Sequence, residues 1–117
     1  MLRFDKIAAQ GEITIRRIDK MPKGCTPLAL EDGRLVIGHS ETGHNHVLSR
    51  SDANVMVLDK PPEGMRLLYA ILESPTSLDH LRPHDTHESI MLEPGIYEFR
   101  VAREYDPYAE LARAAAD

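Results

Sequence analysis

The sequence predicts an all-β fold, mainly antiparallel, of the small barrel or sandwich type. Short apolar runs are separated by Gly, Pro and Asp clusters about every 8–12 residues, the spacing typical of such folds. No long stretch has the 3.6-residue periodicity of an amphipathic helix. Aromatic residues make up only 5% of the 117 residues and Trp is absent, so Leu, Ile, Val and Met must form the core. A chain of this length is expected to be one domain over residues 1–117.

Strands are expected where β-branched and aliphatic runs are bounded by turn residues. Ile13 and Ile15, for example, alternate with polar neighbours, which is the pattern of a half-buried strand. The run 65–73 is apolar on both faces, so we expect a central strand that is covered on both sides. The expected extended segments are 2–18 (as one or two strands), 28–30, 35–39, 55–58, 65–73, 89–92 and 96–105.

The connections are expected where Gly, Pro and Asp cluster. Two prolines and a glycine predict a loop over residues 20–27. The Asp32-Gly33 pair predicts a tight hairpin turn, and Pro94-Gly95 predicts a type II turn that makes a hairpin of its two flanking strands. Residues 74–88 lose periodicity and are predicted to form a long loop, which in a compact domain is often functional.

A short C-terminal helix is predicted over residues 106–117. Asp106 can cap its first turn, and Pro107 suits the first helical position. The negative charge of Glu110 near the start of the helix and the positive charge of Arg113 later in it interact favourably with the helix dipole. The Ala-rich end has high helix propensity.

Composition excludes several classes of partner. The net charge is −5 and the basic residues are interleaved with acids, so no nucleic acid is expected as a partner. No apolar run approaches the ~18 residues of a membrane span, and the N-terminus lacks the apolar core of a signal peptide. The single cysteine, Cys25, rules out an internal disulfide and fits a reducing compartment. We therefore expect a cytoplasmic protein.

Histidines are concentrated in the stretch 38–48. If this stretch is a hairpin closed by residues 40–43, His39 lies opposite His44 across the strand pair. His46 is two residues beyond His44 and shares its face. The sequence therefore predicts three imidazoles on one face, continuous with aliphatic side chains of the same strands.

Such a cluster predicts a metal site. Three histidine ligands with a fourth coordination position left open are typical of catalytic Zn²⁺ sites, and Ni, Fe or Cu also accept imidazole ligands. The long loop could complete the site from a distant part of the sequence. We predict a divalent transition metal, Zn most favoured, with ligands from His39, His44, His46, His87 and His84.

The reaction, if any, is not predicted. There is no Gly-x-Ser-x-Gly elbow, no phosphate-binding Gly-rich loop and no Cys-x-x-Cys, so the sequence favours a non-enzymatic protein without excluding a metal-dependent enzyme. The small-molecule ligand is not identified either. Two alternatives remain open. The histidines could form a structural polar network in an interaction or assembly module, where strand edges mediate a homo-oligomer, or they could make a pH-responsive binder.

Two resemblances involve these residues. Gly38-His39-Ser40-Glu41-Thr42-Gly43-His44-Asn45-His46 fits Gly-His-x-x-Thr-Gly-His-x-His, and residues 92–97 and 103–107 fit Leu-x-x-Gly-x-Tyr and Arg-Glu-Tyr-x-Pro. With these motifs the chain resembles small bacterial and phage-type proteins of uncharacterised function, over nearly its full length. This resemblance implies no activity.

The second, partial resemblance is to cupins, which are double-stranded β-helix proteins. His44 and His46 match the His pair of the first cupin motif, and His87 matches the later His. The resemblance implies that these residues bind a metal in a cupin-like barrel. The acid that cupins place shortly after the His pair is missing from residues 47–50, and the Pro-Gly pair follows His87 instead of preceding it.

Overall fold

The computed structural model describes residues 2–3, 7–10, 13–39, 45–80 and 89–102. All regular elements within these ranges are β-strands. The strands are β1 (Leu2–Arg3), β2 (Ile7–Gln10), β3 (Ile13–Ile18), β4 (Cys25–Pro27), β5 (Val36–Gly38), β6 (His46–Leu48), β7 (Asn54–Leu58), β8 (Arg66–Leu72), β9 (Thr76–His80), β10 (Ile90–Leu92) and β11 (Gly95–Val101).

The strands form two sheets. One has five strands in the order β1-β10-β9-β6-β5, and the other has six in the order β2-β3-β11-β8-β7-β4. Neighbouring strands are antiparallel except β1 and β10. The predicted all-β, mainly antiparallel class is confirmed, in its sandwich form. The predicted helix over 106–117 lies outside the described residues. In the part of the chain that the structure describes, no helix has the length and apolar character needed to cross a membrane.

The hydrophobic core lies between the two sheets. Along β3, Ile13 and Ile15 are buried while Thr14 and Arg16 are exposed, so the predicted alternation is confirmed. Burying such a side chain fully contributes about 1.5–3 kcal/mol. The core residues come from both sheets: Ile13, Ile15, Val55, Leu68, Ala70, Leu72, Tyr97, Phe99 and Val101 from the six-stranded sheet and its ends, and Leu35, Ile37, Leu48, Leu78, Ile90 and Leu92 from the five-stranded side.

Strand β8 occupies the predicted central position, between β11 and β7. Its outward side chain Tyr69 is buried and donates a hydrogen bond from its hydroxyl to Glu98, at 3.3 Å. Glu98 is only 6% exposed and also accepts hydrogen bonds from Arg16 and Arg100, at 3.3 and 3.1 Å. A buried carboxylate needs such partners, because an unpaired buried charge is strongly destabilising.

The predicted turn at Asp32-Gly33 is confirmed. Glu31 and Arg34 exchange both backbone hydrogen bonds, at 2.8 and 3.0 Å. Asp32 and Gly33 have φ values of 51° and 75°. Two consecutive positive φ angles define a type I′ turn, which Asp-Gly adopts readily.

The predicted hairpin between β10 and β11 is wrong, because these strands belong to different sheets. Gly95 has a φ of 158°, far from the about +80° that a type II turn requires. The connection is held instead by side chains that donate hydrogen bonds to its backbone carbonyls. Arg17 Nη2 donates to the carbonyl oxygen of Pro94 at 2.6 Å, and the Tyr97 hydroxyl donates to that of Glu93 at 2.6 Å. The Pro-Gly signal marked the change of direction but not the change of sheet.

Two predicted loops contain short strands. Within residues 20–27, β4 pairs with β7 at the edge of the six-stranded sheet. Within residues 74–88, β9 lies in the five-stranded sheet between β10 and β6, and residues 81–88 lie outside the described residues. The predicted extended segment 28–30 is not a strand, although the backbone nitrogen of Leu28 still donates to the Val55 carbonyl. Three- to five-residue strands are short enough for local composition to hide them.

Alkaline pH should destabilise the fold through two tyrosines. Burial raises the pKa of Tyr97, and burial followed by the nearby Glu98 carboxylate raises the pKa of Tyr69. The unfolded chain therefore loses its two tyrosine hydroxyl protons at a lower pH than the folded protein does. The contribution of these tyrosines to the free energy of unfolding is complete below about pH 10 and falls as the pH rises further. Urea unfolding should show a free energy that declines above about pH 10, and less steeply in Tyr97→Phe. Parallel pH curves for the two proteins would contradict this prediction.

Candidate functional site

Two histidines meet at one end of the sandwich. His46 on β6 and His80 on β9 are directly opposite each other across the strand pair. Their rings are stacked, with centroids 4.1 Å apart and planes 5° from parallel. The next pair along these strands on the same face, Leu48 and Leu78, belongs to the core, so the histidine stack (His46 and His80) continues the inner face.

Gln10 connects this stack to the opposite sheet. It lies on β2, at the edge of the six-stranded sheet, and is only 5% exposed. Its Nε2 donates to the backbone carbonyl of Leu78 at 3.1 Å, and its Oε1 lies 2.7 Å from Nδ1 of His46. His46 itself is 9% exposed. A buried polar network therefore joins the two sheets where β6 begins and β9 ends.

The predicted register of the β5–β6 hairpin holds at one end of the strand pair only. Val36 lies opposite Val47, as predicted. Without a bulge, His46 would pair with Ile37. It pairs with Gly38 instead, so β5 has one extra residue at this point, which is a β-bulge. Because side chains alternate along a strand, a slip of one residue changes the face that each side chain occupies.

The bulge separates His39 from His46. Gly38 shares a face with His46, so the next residue, His39, is directed to the other face. There its Nε2 lies 2.7 and 2.9 Å from the two carboxylate oxygens of Glu31. The prediction that His39 and His46 share one face is therefore wrong, because it continued the period-2 pattern through Gly38, and a glycine inside a strand often marks a bulge.

The other predicted ligands, His44, His84 and His87, lie outside the described residues. Within the ranges that the structure does describe, no three His, Cys, Asp or Glu side chains are grouped so that they could hold a metal ion. The metal site therefore stays a prediction.

The geometry of the stack limits how it could bind a metal. An imidazole nitrogen binds a metal such as zinc at about 2.0–2.1 Å, along a lone pair that lies in the ring plane. The rings of His46 and His80 are nearly parallel, with centroids 4.1 Å apart, so one ion cannot lie in both ring planes. In this arrangement only one of His46 and His80 can bind a given ion.

Two residues of this site, His80 and Gln10, were not predicted from the sequence. The run from Thr76 to His80 alternates around the apolar Leu78, and this period-2 pattern was the available signal for β9. Gln10 ends a short apolar run, and a single amide there gives no indication of a partner so distant in sequence.

The thiol of Cys25 is poorly suited to act as a nucleophile. Its pKa is raised first by burial and then by the Asp59 carboxylate. Reactive cysteines need a lowered pKa, because the thiolate is the attacking form. The thiol is free, and its Sγ donates weakly to the Pro22 carbonyl at 3.7 Å.

An open cavity of about 250 Å³ lies at the other end of β6 and β9. It is lined by Arg50, Asp52, Glu73 and Thr76, among others. The Arg50 guanidinium donates to both carboxylate oxygens of Asp52, at 3.1 and 3.2 Å, and this lowers the pKa of Asp52. The pair is exposed, so its contribution to stability is small.

The chain matches the model of a protein family over most of its length. Residues 9–102 match the model of a family described as a domain of unknown function, DUF8820. A search of curated proteins and a search of solved structures gave no match. The matched range covers most of the 117 residues and includes Gln10, His46 and His80. The chain belongs to the DUF8820 family.

Proposed function

We propose that this protein binds a divalent transition metal, Zn²⁺ in first place, at the end of the sandwich that holds the histidine stack. One observation carries the proposal: β6 and β9 are neighbours, so His46 lies against His80. The first histidine-rich segment of the sequence leads into β6 and the second follows β9, so both connect to adjacent strands. His44 precedes His46 closely in the chain, and His84 and His87 follow soon after His80.

His46 is the ligand best supported by its surroundings, because its ring is buried and held at Nδ1 by Gln10. The other proposed ligands are inferred from the sequence and are His44, His84 and His87. The resemblance to cupins implies three of these ligands, His44, His46 and His87. His39 ranks behind them, since binding there would first require breaking its contact with Glu31.

The proposal includes no reaction. A metal held by buried imidazoles can serve stability or ligand binding as well as catalysis. A cytoplasmic location is part of the proposal, because the lone Cys25 is a free thiol.

Thermal unfolding tests the proposal directly. Untagged protein is stripped with chelator and unfolded with and without Zn²⁺ at about 100 times the dissociation constant. Such a ligand adds about 2.7 kcal/mol of stability, so the melting temperature should rise by roughly 10 °C. His46→Ala should abolish the rise, and the matched control His39→Ala should keep most of it. An unchanged melting temperature with Zn²⁺, Ni²⁺, Fe²⁺ and Cu²⁺, together with metal-free protein by elemental analysis, would refute the proposal.

The stacked rings favour a second candidate function, an interaction or assembly module in which His46, His80 and Gln10 form a structural polar network. Buried hydrogen bonds such as those of Gln10 with His46 and Leu78 stabilise one packing arrangement without any metal. This candidate predicts that chelator leaves the melting temperature unchanged, that light scattering shows a defined homo-oligomer, and that His46→Ala lowers stability in metal-free buffer. A strictly monomeric mass would count against it.

A further inference from the structure

We propose that Gln10 is a positioning residue that holds His46 in the tautomer protonated at Nδ1, so that Nε2 is the ring nitrogen that carries the lone pair. Its role in metal binding rests on the proposed function, whereas its role in selecting the tautomer does not.

The backbone carbonyl of Leu78 fixes the orientation of the Gln10 amide. A carbonyl oxygen can only accept a hydrogen bond, so the Gln10 atom 3.1 Å from it must be the amino nitrogen, which donates. The amide oxygen is then the atom turned toward His46. A flipped amide would place the Gln10 oxygen against the Leu78 carbonyl oxygen, and two acceptors at hydrogen-bond distance in a buried site repel each other.

The orientation of the amide then fixes the imidazole. The Gln10 oxygen lies 2.7 Å from Nδ1 of His46, and an amide oxygen also only accepts. Nδ1 must therefore carry the hydrogen. A neutral imidazole has one protonated nitrogen, so the lone pair is on Nε2.

This arrangement is the one that metal-binding histidines use. Such residues commonly donate the hydrogen of one ring nitrogen to a carbonyl or carboxylate and bind the metal through the other nitrogen. Here the carbonyl belongs to Gln10, on the opposite sheet from His46. The orientation of the ligand ring thus depends on the packing of the two sheets against each other.

Nitrogen-15 NMR of the metal-free full chain tests the tautomer. Near pH 8, where an imidazole with an ordinary pKa is neutral, long-range proton–nitrogen spectra distinguish a protonated ring nitrogen from one with a lone pair. The expected result for His46 is a protonated Nδ1 and an unprotonated Nε2. A protonated Nε2 would overturn the proposal, whatever the outcome with metal.

Two variants separate positioning from packing. Gln10→Glu keeps an oxygen acceptor for Nδ1 and should keep the tautomer, although its second oxygen loses the hydrogen bond to the Leu78 carbonyl and should lower stability. Gln10→Leu has a similar size but no acceptor, and it should give His46 a mixture of tautomers. If Gln10→Leu keeps the wild-type tautomer, Gln10 does not select it. If Gln10→Leu fails to fold, Gln10→Met, which also lacks an oxygen acceptor but has a flexible side chain, makes the same comparison.

Titration of the same proteins with Zn²⁺ tests the consequence for metal binding. Gln10→Leu should lose about 10–100-fold in affinity, and Gln10→Glu should stay close to the wild type. Equal affinity of wild type and Gln10→Leu would overturn the role in metal binding. No Zn²⁺ binding by the wild-type chain would refute the proposed function, and the tautomer alone would then decide the role of Gln10.

Discussion

Replacing Phe99 by alanine should lower the free energy of unfolding by about 3–5 kcal/mol. Phe99 is fully buried on β11, opposite Ile15 of β3 and Leu68 of β8, and all three belong to the core between the sheets. Small domains have a total of about 5–15 kcal/mol, so the loss would be a large share of it. Urea unfolding followed by circular dichroism should show a transition at much lower denaturant concentration.

Thr14→Ala is the matched control for this change. Thr14 neighbours Ile15 on β3 but is exposed on the outer face, so its replacement should change stability by no more than about 0.5 kcal/mol. Similar losses for Phe99→Ala and Thr14→Ala would show that the space between the two sheets is not the main core.

Gly38→Ala should destabilise the protein by about 1–3 kcal/mol, because it overpacks the contact between the sheets. A Cβ atom at this position would lie 2.8 Å from Cδ1 of Ile13, closer than packed carbon atoms allow, and 3.3 Å from Cγ1, which is a tight contact. It would also lie 3.7 Å from the His46 ring. Thermal unfolding measures the loss, and the NMR signals of His46 should shift in the same variant.

The clash identifies its own compensating change. Ile13→Val removes Cδ1, the atom nearest to the new methyl group, and alone should cost about 0.5–1.5 kcal/mol. In the double variant with Gly38→Ala, the total loss should be smaller than the sum of the two single losses by about 0.5 kcal/mol or more. Strict additivity would mean that Gly38 does not approach Ile13 as described.

Most of the architecture follows from local sequence patterns. The alternation around Ile13 and Ile15 predicted β3 and its buried face, and the two-sided apolar run predicted the central position of β8. The pair Asp32-Gly33 predicted its turn because few other residues accept two positive φ angles in succession. In each case the signal and the structure it determines lie within a few residues of each other.

The candidate site was less predictable, because it depends on strand pairing between distant segments. The bulge before Gly38 shifts the register by one residue, and a glycine within a strand indicates a bulge without fixing the new register. His80 and Gln10 join His46 only because β9 pairs with β6 and the edge strand β2 packs across from them. No periodicity within a segment indicates which other segment will lie beside it.

Pro27 has a consequence for how the sandwich meets other molecules. Leu28, the residue that follows β4, donates its backbone N–H to the Val55 carbonyl of β7, so the Pro27 nitrogen is turned away from β7 toward the outer edge of the six-stranded sheet as far as the structure describes it. Proline has no N–H to donate there. An incoming strand would therefore find an interrupted hydrogen-bonding ladder, which protects this edge against amyloid-like growth of the sheet.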